Sequence, residues 1–277
     1  MGFPTRLDRW LWFGTAALAF VAAGFGVHNP STYEGLVPDT IMPGVYSQDL
    51  VTLLLSSILA VLAFSGRSYP SQKRVVAHGI LGFLFYAYGI YAMERMYNAL
   101  YPLYLTIFGI SLFVLIYSVT TGLDETTTRL RVPATLRILG ASYGMLIAVM
   151  FTLLWLSELI PLMKAGRRVD HLYSIYIIDL CFVMPAFVIA ALLALRRRPI
   201  GLMGLPALFV VGAGILSPLA LAEWIKPLRY GLPRDVGGML LFGILTLVFM
   251  VLAGAFLATM RMEPADAADS PASSHRS

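Results

Sequence analysis

Eight separate apolar runs, each about 20 residues long, dominate this chain: 10–27, 47–65, 75–96, 100–120, 136–159, 174–195, 201–222 and 237–260. Some 20 residues wound as an α-helix match the roughly 30 Å of hydrocarbon in a bilayer. In hydrocarbon every backbone N–H and C=O must be satisfied within the element, so such runs are helical. The expected fold class is therefore all-α: a polytopic transmembrane helical bundle of about eight helices. Composition agrees, since 58% of the 277 residues are hydrophobic and only 13% are charged, about half the charge of an ordinary soluble domain. The segment 1–262 is expected to form a single transmembrane helical domain. The stretch EPADAADSPASSHRS, 263–277, is small, polar and proline-containing, and reads as a disordered cytoplasmic tail.

Orientation follows from the cations flanking the runs, because Lys and Arg are retained on the cytoplasmic side. With the N-terminus inside, Arg6, Arg9, Arg67, Lys73, Arg74, Arg129, Arg131, Arg137, Arg196, Arg197, Arg198, Arg261 and Arg276 are cytoplasmic. Arg95, Lys164, Arg167, Arg168, Lys226, Arg229 and Arg234 are external. Thirteen against seven predicts both termini inside. Arg6 and Arg9 precede the first run as in a signal peptide, but Gly24 to His28 lacks a small-x-small cleavage site, so an uncleaved helix is expected. The connection 28–46 holds three prolines, two glycines and no Lys or Arg, and predicts an irregular external lid.

The acids then fall at one level. Counting about 20 residues inward from each cytoplasmic anchor places Asp49, Glu94, Glu158, Asp179 and Glu223 at the external ends of five helices. A charge in hydrocarbon costs about 3 kcal/mol or more, so such a residue is paired, hydrated or used. Asp49, Thr52 and Ser56 recur at i, i+3 and i+7 and predict a polar stripe on one helix face. Tyr88 and Tyr91 lead by the same spacing toward Arg95 and Asn98, while Trp155 precedes Glu158, and Tyr176 precedes Asp179, by three residues. Glu94, Glu223 and Trp224 fit an ordinary membrane–water interface, which collects such side chains. Asp179, followed by a long apolar run, fits an inward-facing carboxyl. The candidate binding residues are Asp49, Tyr88, Tyr91, Asn98, Trp155, Glu158 and Asp179, with Glu158 and Asp179 expected to share one chamber.

Other chemistries find no support. The single cysteine, Cys181, excludes an internal disulfide and reads as a buried structural thiol. Four histidines without HxxxH or HxxH spacing argue against a metal site, and no phosphate loop, dinucleotide fingerprint or nucleophile elbow is present. No cofactor is expected. The net charge of +5 is dispersed over short loops without an aromatic–basic platform, so lipid headgroups and not nucleic acid are the expected counterpart. Gly140 and Gly144 form a GxxxG pair for close helix packing, and Pro185 and Pro206 predict kinks.

The segments YSQDLVTLLLSS (46–57), YNALYPLYLTIFGISLFVLI (97–116), LLWLSELIP (153–161) and IIDLCFVMPAFVIAALLALRRRPIG (177–201) resemble a family of uncharacterised bacterial multi-pass membrane proteins. The resemblance spans most of the second to sixth runs and implies a helical bundle in the bacterial inner membrane, without implying an activity. Its matching positions include Asp49, Asn98, Trp155, Glu158 and Asp179; a histidine expected shortly before Asp179 is replaced by Tyr176 or its neighbour.

Three functions fit this pattern. The first is binding or transport of a small cationic or amphipathic molecule, or of protons, in an external cavity lined by Asp49, Glu158, Asp179, Tyr88 and Tyr91. The second is a membrane-embedded enzyme acting on a lipid or isoprenoid, with Asp179 or Glu158 as general acid. The third is an assembly subunit whose acids satisfy Arg95, Arg229 and Arg234. The sequence leaves the oligomeric state open.

Overall fold

A computed structural model describes residues 5–65, 70–123 and 128–264. Arg67, Arg276 and 265–277 of the expected tail lie outside the described residues. Eight helical spans long and apolar enough to cross a bilayer are present among those described. The protein is an all-α polytopic bundle.

Helix α1 covers Arg6–His28 and opens on a reciprocal cap: the Thr5 hydroxyl accepts the Asp8 amide at 3.0 Å, and the Asp8 carboxylate accepts the Thr5 amide at 2.8 Å. Helix α2, Met42–Phe64, starts five residues earlier than the apolar run, because Pro43 sits in its first turn, where a missing N–H costs nothing. Helices α3 and α4 span Pro70–Met93 and Tyr101–Leu123. Helix α5, Ala134–Ala165, continues through Pro161 and stops at Gly166, whose φ of 61° is the left-handed cap that glycine adopts without strain. The sixth span is α6 (Tyr173–Ile178), a π-turn (Asp179–Val183) and α7 (Met184–Leu195) in one continuous rod. Helix α8, Pro199–Ile225, runs into a second π-turn, Lys226–Tyr230. Helix α9, Val236–Thr259, is capped by the Asp235 side chain accepting from the Gly238 amide at 3.1 Å.

The antiparallel helices leave two ends. The basic end holds the start of α1 and the α2–α3, α4–α5 and α7–α8 connections. There β1 (Thr128–Arg131) pairs antiparallel with β2 (Arg261–Pro264), so the first two residues of the expected tail, Glu263 and Pro264, lie in a strand. The opposite, loop end holds the lid between α1 and α2, where a 3-10 turn at Pro30–Tyr33 gives the lid a core.

Helices α1, α2, α3 and α4 close into a ring, each packing on the next and α4 returning to α1. Helix α8 packs outside that ring against α2 and α3, and carries α7 and α9 on its other sides; α5 leans on α7. Of the apolar stretch of α3, 89% is buried, against 11% for α5, so α3 is the hub and α5 faces the membrane. The close approach of α3 to α8 needs Gly79, where a Cβ would lie 2.4 Å from Val210 and 2.9 Å from the Ala207 carbonyl. Gly140 plays the expected packing part, since a Cβ there would meet Phe256 of α9 at 2.6 Å. Cys181 corrects its sequence reading: it is exposed, because the π-turn rotates it away from the packed face.

Candidate functional site

Asp49 is held at the loop end inside the ring, with 1% of its surface exposed. Its two oxygens accept from different elements: Tyr33 of the lid at 2.7 Å and Tyr91 of α3 at 3.1 Å. The lid thus delivers a hydroxyl that the sequence reading did not single out. Burial, and then Tyr91 and Asp49, push the Tyr33 phenol far above its ordinary value, so it remains a hydrogen-bond donor at any physiological pH. Tyr91, Tyr88 and Tyr104 pack as tilted and edge-on rings with centroids 5.1 to 5.8 Å apart. The Tyr88 hydroxyl does not reach Asp49 by hydrogen bond; it donates to the Ala19 carbonyl of α1 at 3.1 Å. Asn98 ties the cluster to the lid, donating to the Thr32 carbonyl at 3.3 Å and to the Tyr104 hydroxyl at 3.2 Å. Gly26 makes room on α1, because a Cβ there would stand 2.1 Å from Asp49 Oδ2.

Asp179 forms a separate site on the other side of α3. It is 6% exposed, sits at the first residue of the π-turn, and accepts the Trp155 indole N–H at 2.7 Å. Tyr86 of α3 lies close enough to the same carboxylate to interact with it electrostatically. The π-turn precedes Pro185, which has no N–H to give; the extra residue per turn carries the backbone past that position and aims Asp179 at α5. Glu158 is exposed and accepts from the Tyr176 hydroxyl at 2.7 Å. Trp155 and Tyr176 meet edge-on at 5.4 Å, so the two acids are joined through a ring pair and not across a chamber.

The loop end does contain a cavity of about 270 Å³, enclosed by α2, α3, α6 and α8. Its wall is mostly apolar, with Ile90 and Leu219 among its side chains, and its inner polar groups are Gln48, Tyr86 and Tyr91. The two tyrosines are those beside Asp179 and Asp49, so the cavity lies between the two acid sites with a phenol screening each. Asp49, Tyr88, Asn98, Trp155, Glu158 and Asp179 are not on its wall; of the candidate residues only Tyr91 is. The physical reason is that Asp49 and Asp179 turn toward partners in the ring and on α5, away from the gap between α3 and α8.

Glu94, His171, Glu223 and Lys226 complete the rim. Glu94 accepts the Ser174 amide at 2.9 Å, bracing the start of α6 against α3. Glu223 is buried, receives Lys226 in a close ion pair, and accepts the Asp235 amide at 2.8 Å. Two of the three arginines expected to pair with these acids stack on rings instead: Arg229 lies 4.3 Å above the Tyr46 ring and Arg234 4.4 Å above the Trp224 ring, with Arg234 Nε donating to the Glu223 main-chain carbonyl at 3.2 Å. Among the described residues no three His, Cys, Asp or Glu side chains converge as metal ligands.

A further polar cluster, at the basic end, escaped the sequence reading because Arg74 and Asp8 resemble ordinary interfacial charges. Both are buried inside the ring, 3.5 Å apart. Arg74 also donates to the Ser118 carbonyl at 2.9 Å, and His78 Nε2 lies 3.0 Å from the Ser118 hydroxyl. The readable signal was the seven-residue repeat Tyr104, Ser111, Ser118 on α4, which puts three polar side chains on one buried face.

No protein-family model, curated protein or solved structure matches the chain.

Proposed function

We propose that this integral membrane protein binds, and moves across the bilayer, a small amphipathic cation held in the loop-end cavity. The observation that carries the reading is the cavity itself: about 270 Å³ of largely apolar space at one end of the transmembrane helices, between two screened acids. Apolar walls with a few convergent polar groups are the usual make-up of a small-molecule site. The charge balance selects a cation. Lys226 neutralises Glu223, whereas Glu94 accepts only a backbone amide among the described residues, and Asp49 and Asp179 stand behind the inner tyrosines. The surplus of Lys and Arg at the basic end supports a cytoplasmic position for that end, and hence an external mouth. The family resemblance supports a bacterial inner membrane. A lipid-processing enzyme has less support, because its general acids, Asp179 and Glu158, are off the cavity wall.

The test uses octyltrimethylammonium, octanol and octyl sulfate, measured by calorimetry on the protein in lipid nanodiscs. The cation is expected to bind at least tenfold more tightly than the other two. Gly44 lines the cavity and has open space around its Cβ position, so Gly44→Leu fills the cavity without a clash and is expected to abolish binding. Glu94→Gln is expected to weaken the cation alone. Equal affinity for the three probes, or wild-type affinity in Gly44→Leu, overturns the reading.

A further inference from the structure

Burying ionisable groups within a membrane protein is costly, and such groups are candidates for ion and proton routes. Among the described residues, eleven of the fourteen buried polar or charged side chains belong to α1–α4. The other three, Ser174, Asp179 and Glu223, lie toward the loop end. Buried polarity is therefore a property of the four-helix ring and not of the bundle at large.

Within the ring these groups are spaced along the axis as a file, the Thr15, Thr52 and Ser56 hydroxyls each donating to a carbonyl of their own helix. At the basic end Asp8, Arg74, His78 and Ser118 are joined across three helices, and the Thr121 hydroxyl reaches Asp8 Oδ1 at 3.5 Å. At the loop end Asp49 is joined to the lid and to α3. Between them, a rise of 1.5 Å per residue from the basic ends of the helices places Thr15, Ser56 and His78 about 12–14 Å in, Thr52 and Ser111 about 18 Å in, and Asp49 about 23 Å in. A polar rung thus recurs roughly every 5 Å along the axis, about the span of two hydrogen bonds through one water. Two mid-file atoms, Trp12 Nε1 and Ser111 Oγ, are buried and have no hydrogen-bond partner among the described residues. Buried atoms of that kind hold ordered water in native proteins. The file ends at Tyr91, whose hydroxyl bonds Asp49 and whose ring walls the cavity.

We propose that the α1–α4 ring conducts protons between the basic end and the loop-end cavity along this file. His78 accepts a proton on one ring nitrogen; bridging waters at Ser111, Thr15 and Ser56 each take one proton and release another; the Asp49 carboxylate receives it and gives it up through Tyr91. Each carrier ends as it began, so the step balances without a co-reactant. The ionisable and charged groups facing the file are Asp8 on α1, Asp49 on α2, Arg74, His78, Tyr88 and Tyr91 on α3, Tyr104 on α4 and Tyr33 on the lid. Helix α8, packed on the outside, carries its titratable groups only at the loop end. The route stands on the ring; it shares with the ligand reading only its outlet at Tyr91.

The experiment reconstitutes the full chain in liposomes loaded with the pH dye pyranine, with potassium and valinomycin clamping the potential and no organic cation present. Wild-type protein is expected to speed proton entry at least tenfold over empty liposomes, with no matching sodium flux. Ser111→Ala and Asp49→Asn are expected to lower the rate at least fivefold, and Ser111→Ala to keep its wild-type affinity for octyltrimethylammonium as proof of folding. A wild-type rate equal to that of empty liposomes overturns the proposal. So does an unchanged rate in both variants, or equal sodium flux. Failure of octyltrimethylammonium binding in wild-type protein would instead remove the ligand reading and leave this one standing on its own flux.

Discussion

Replacement of Gly26 by alanine tests whether the Asp49 site is built by close approach of α1. The added methyl would stand 2.1 Å from Asp49 Oδ2 and 2.4 Å from the Tyr33 hydroxyl, distances at which one partner must leave. Asp49 is 1% exposed, so it has no free volume into which to retreat. Losing the Tyr33 bond to a carboxylate costs about 1.5–3 kcal/mol, and overfilling a packed interior adds about 1–3 kcal/mol. Removing glycine from a helix returns up to about 1 kcal/mol. The net is a destabilisation of about 1.5–6 kcal/mol. The assay is reversible denaturation in mixed micelles, with Gly14→Ala as reference, because a Cβ at Gly14 of the same helix meets nothing within 4 Å. Gly14→Ala should be neutral or stabilising by up to about 1 kcal/mol. In the Asp49→Ala, Tyr33→Phe background the Gly26→Ala penalty should shrink below about 1 kcal/mol, since the obstructing oxygens are gone. A Gly26→Ala variant as stable as Gly14→Ala would refute the account of how Asp49 is held.

Arg74→Met should cost about 3–5 kcal/mol in the same assay by stranding the buried Asp8 carboxylate, and Asp8→Asn in addition should recover part of that loss; additive losses would count against a coupled pair. Trp155→Phe should cost about 1.5–3 kcal/mol by removing the indole donor to Asp179, and should cost clearly less in an Asp179→Ala background; an equal cost in both backgrounds would show that packing of the ring, not its N–H, is what matters.

How much of this was legible in the sequence depends on whether the signal was local. The eight spans were, because a bilayer sets both length and composition, and only the ends moved, as at Arg6, Pro43, Pro70, Pro161 and Ile225. Asp49 and Tyr91 were legible as polar positions on periodic helix faces, and Asp179 as an acid too deep for an interface. Their partners were not. Tyr33 reaches Asp49 from a lid whose path no periodicity encodes, and Gly26 matters only because α1 crosses α2 at that residue. The expected chamber between Glu158 and Asp179 failed for a related reason. Three-residue spacing correctly set Trp155 beside one acid and Tyr176 beside the other, but the bonds formed crosswise, Trp155 to Asp179 and Tyr176 to Glu158. Arg74 counts in the sequence only as a cytoplasmic cation and Asp8 is not singled out there, because a charge at a helix end carries no mark of the neighbour it will face.

The central burial of α3 has a consequence for biogenesis. This helix leaves the ribosome before α8, yet one of its flanks is designed to touch α8, which is completed 132 residues later. At about 5–20 residues per second, that flank waits roughly 7–26 s for its neighbour. During the wait Gly79 and Gly82 present a notch in the nascent bundle where Val210 and Val211 will later seat. The α1–α4 segment therefore exists before α8 can cover it, and a chain stalled before α8 would offer the insertion machinery a groove that the finished molecule conceals.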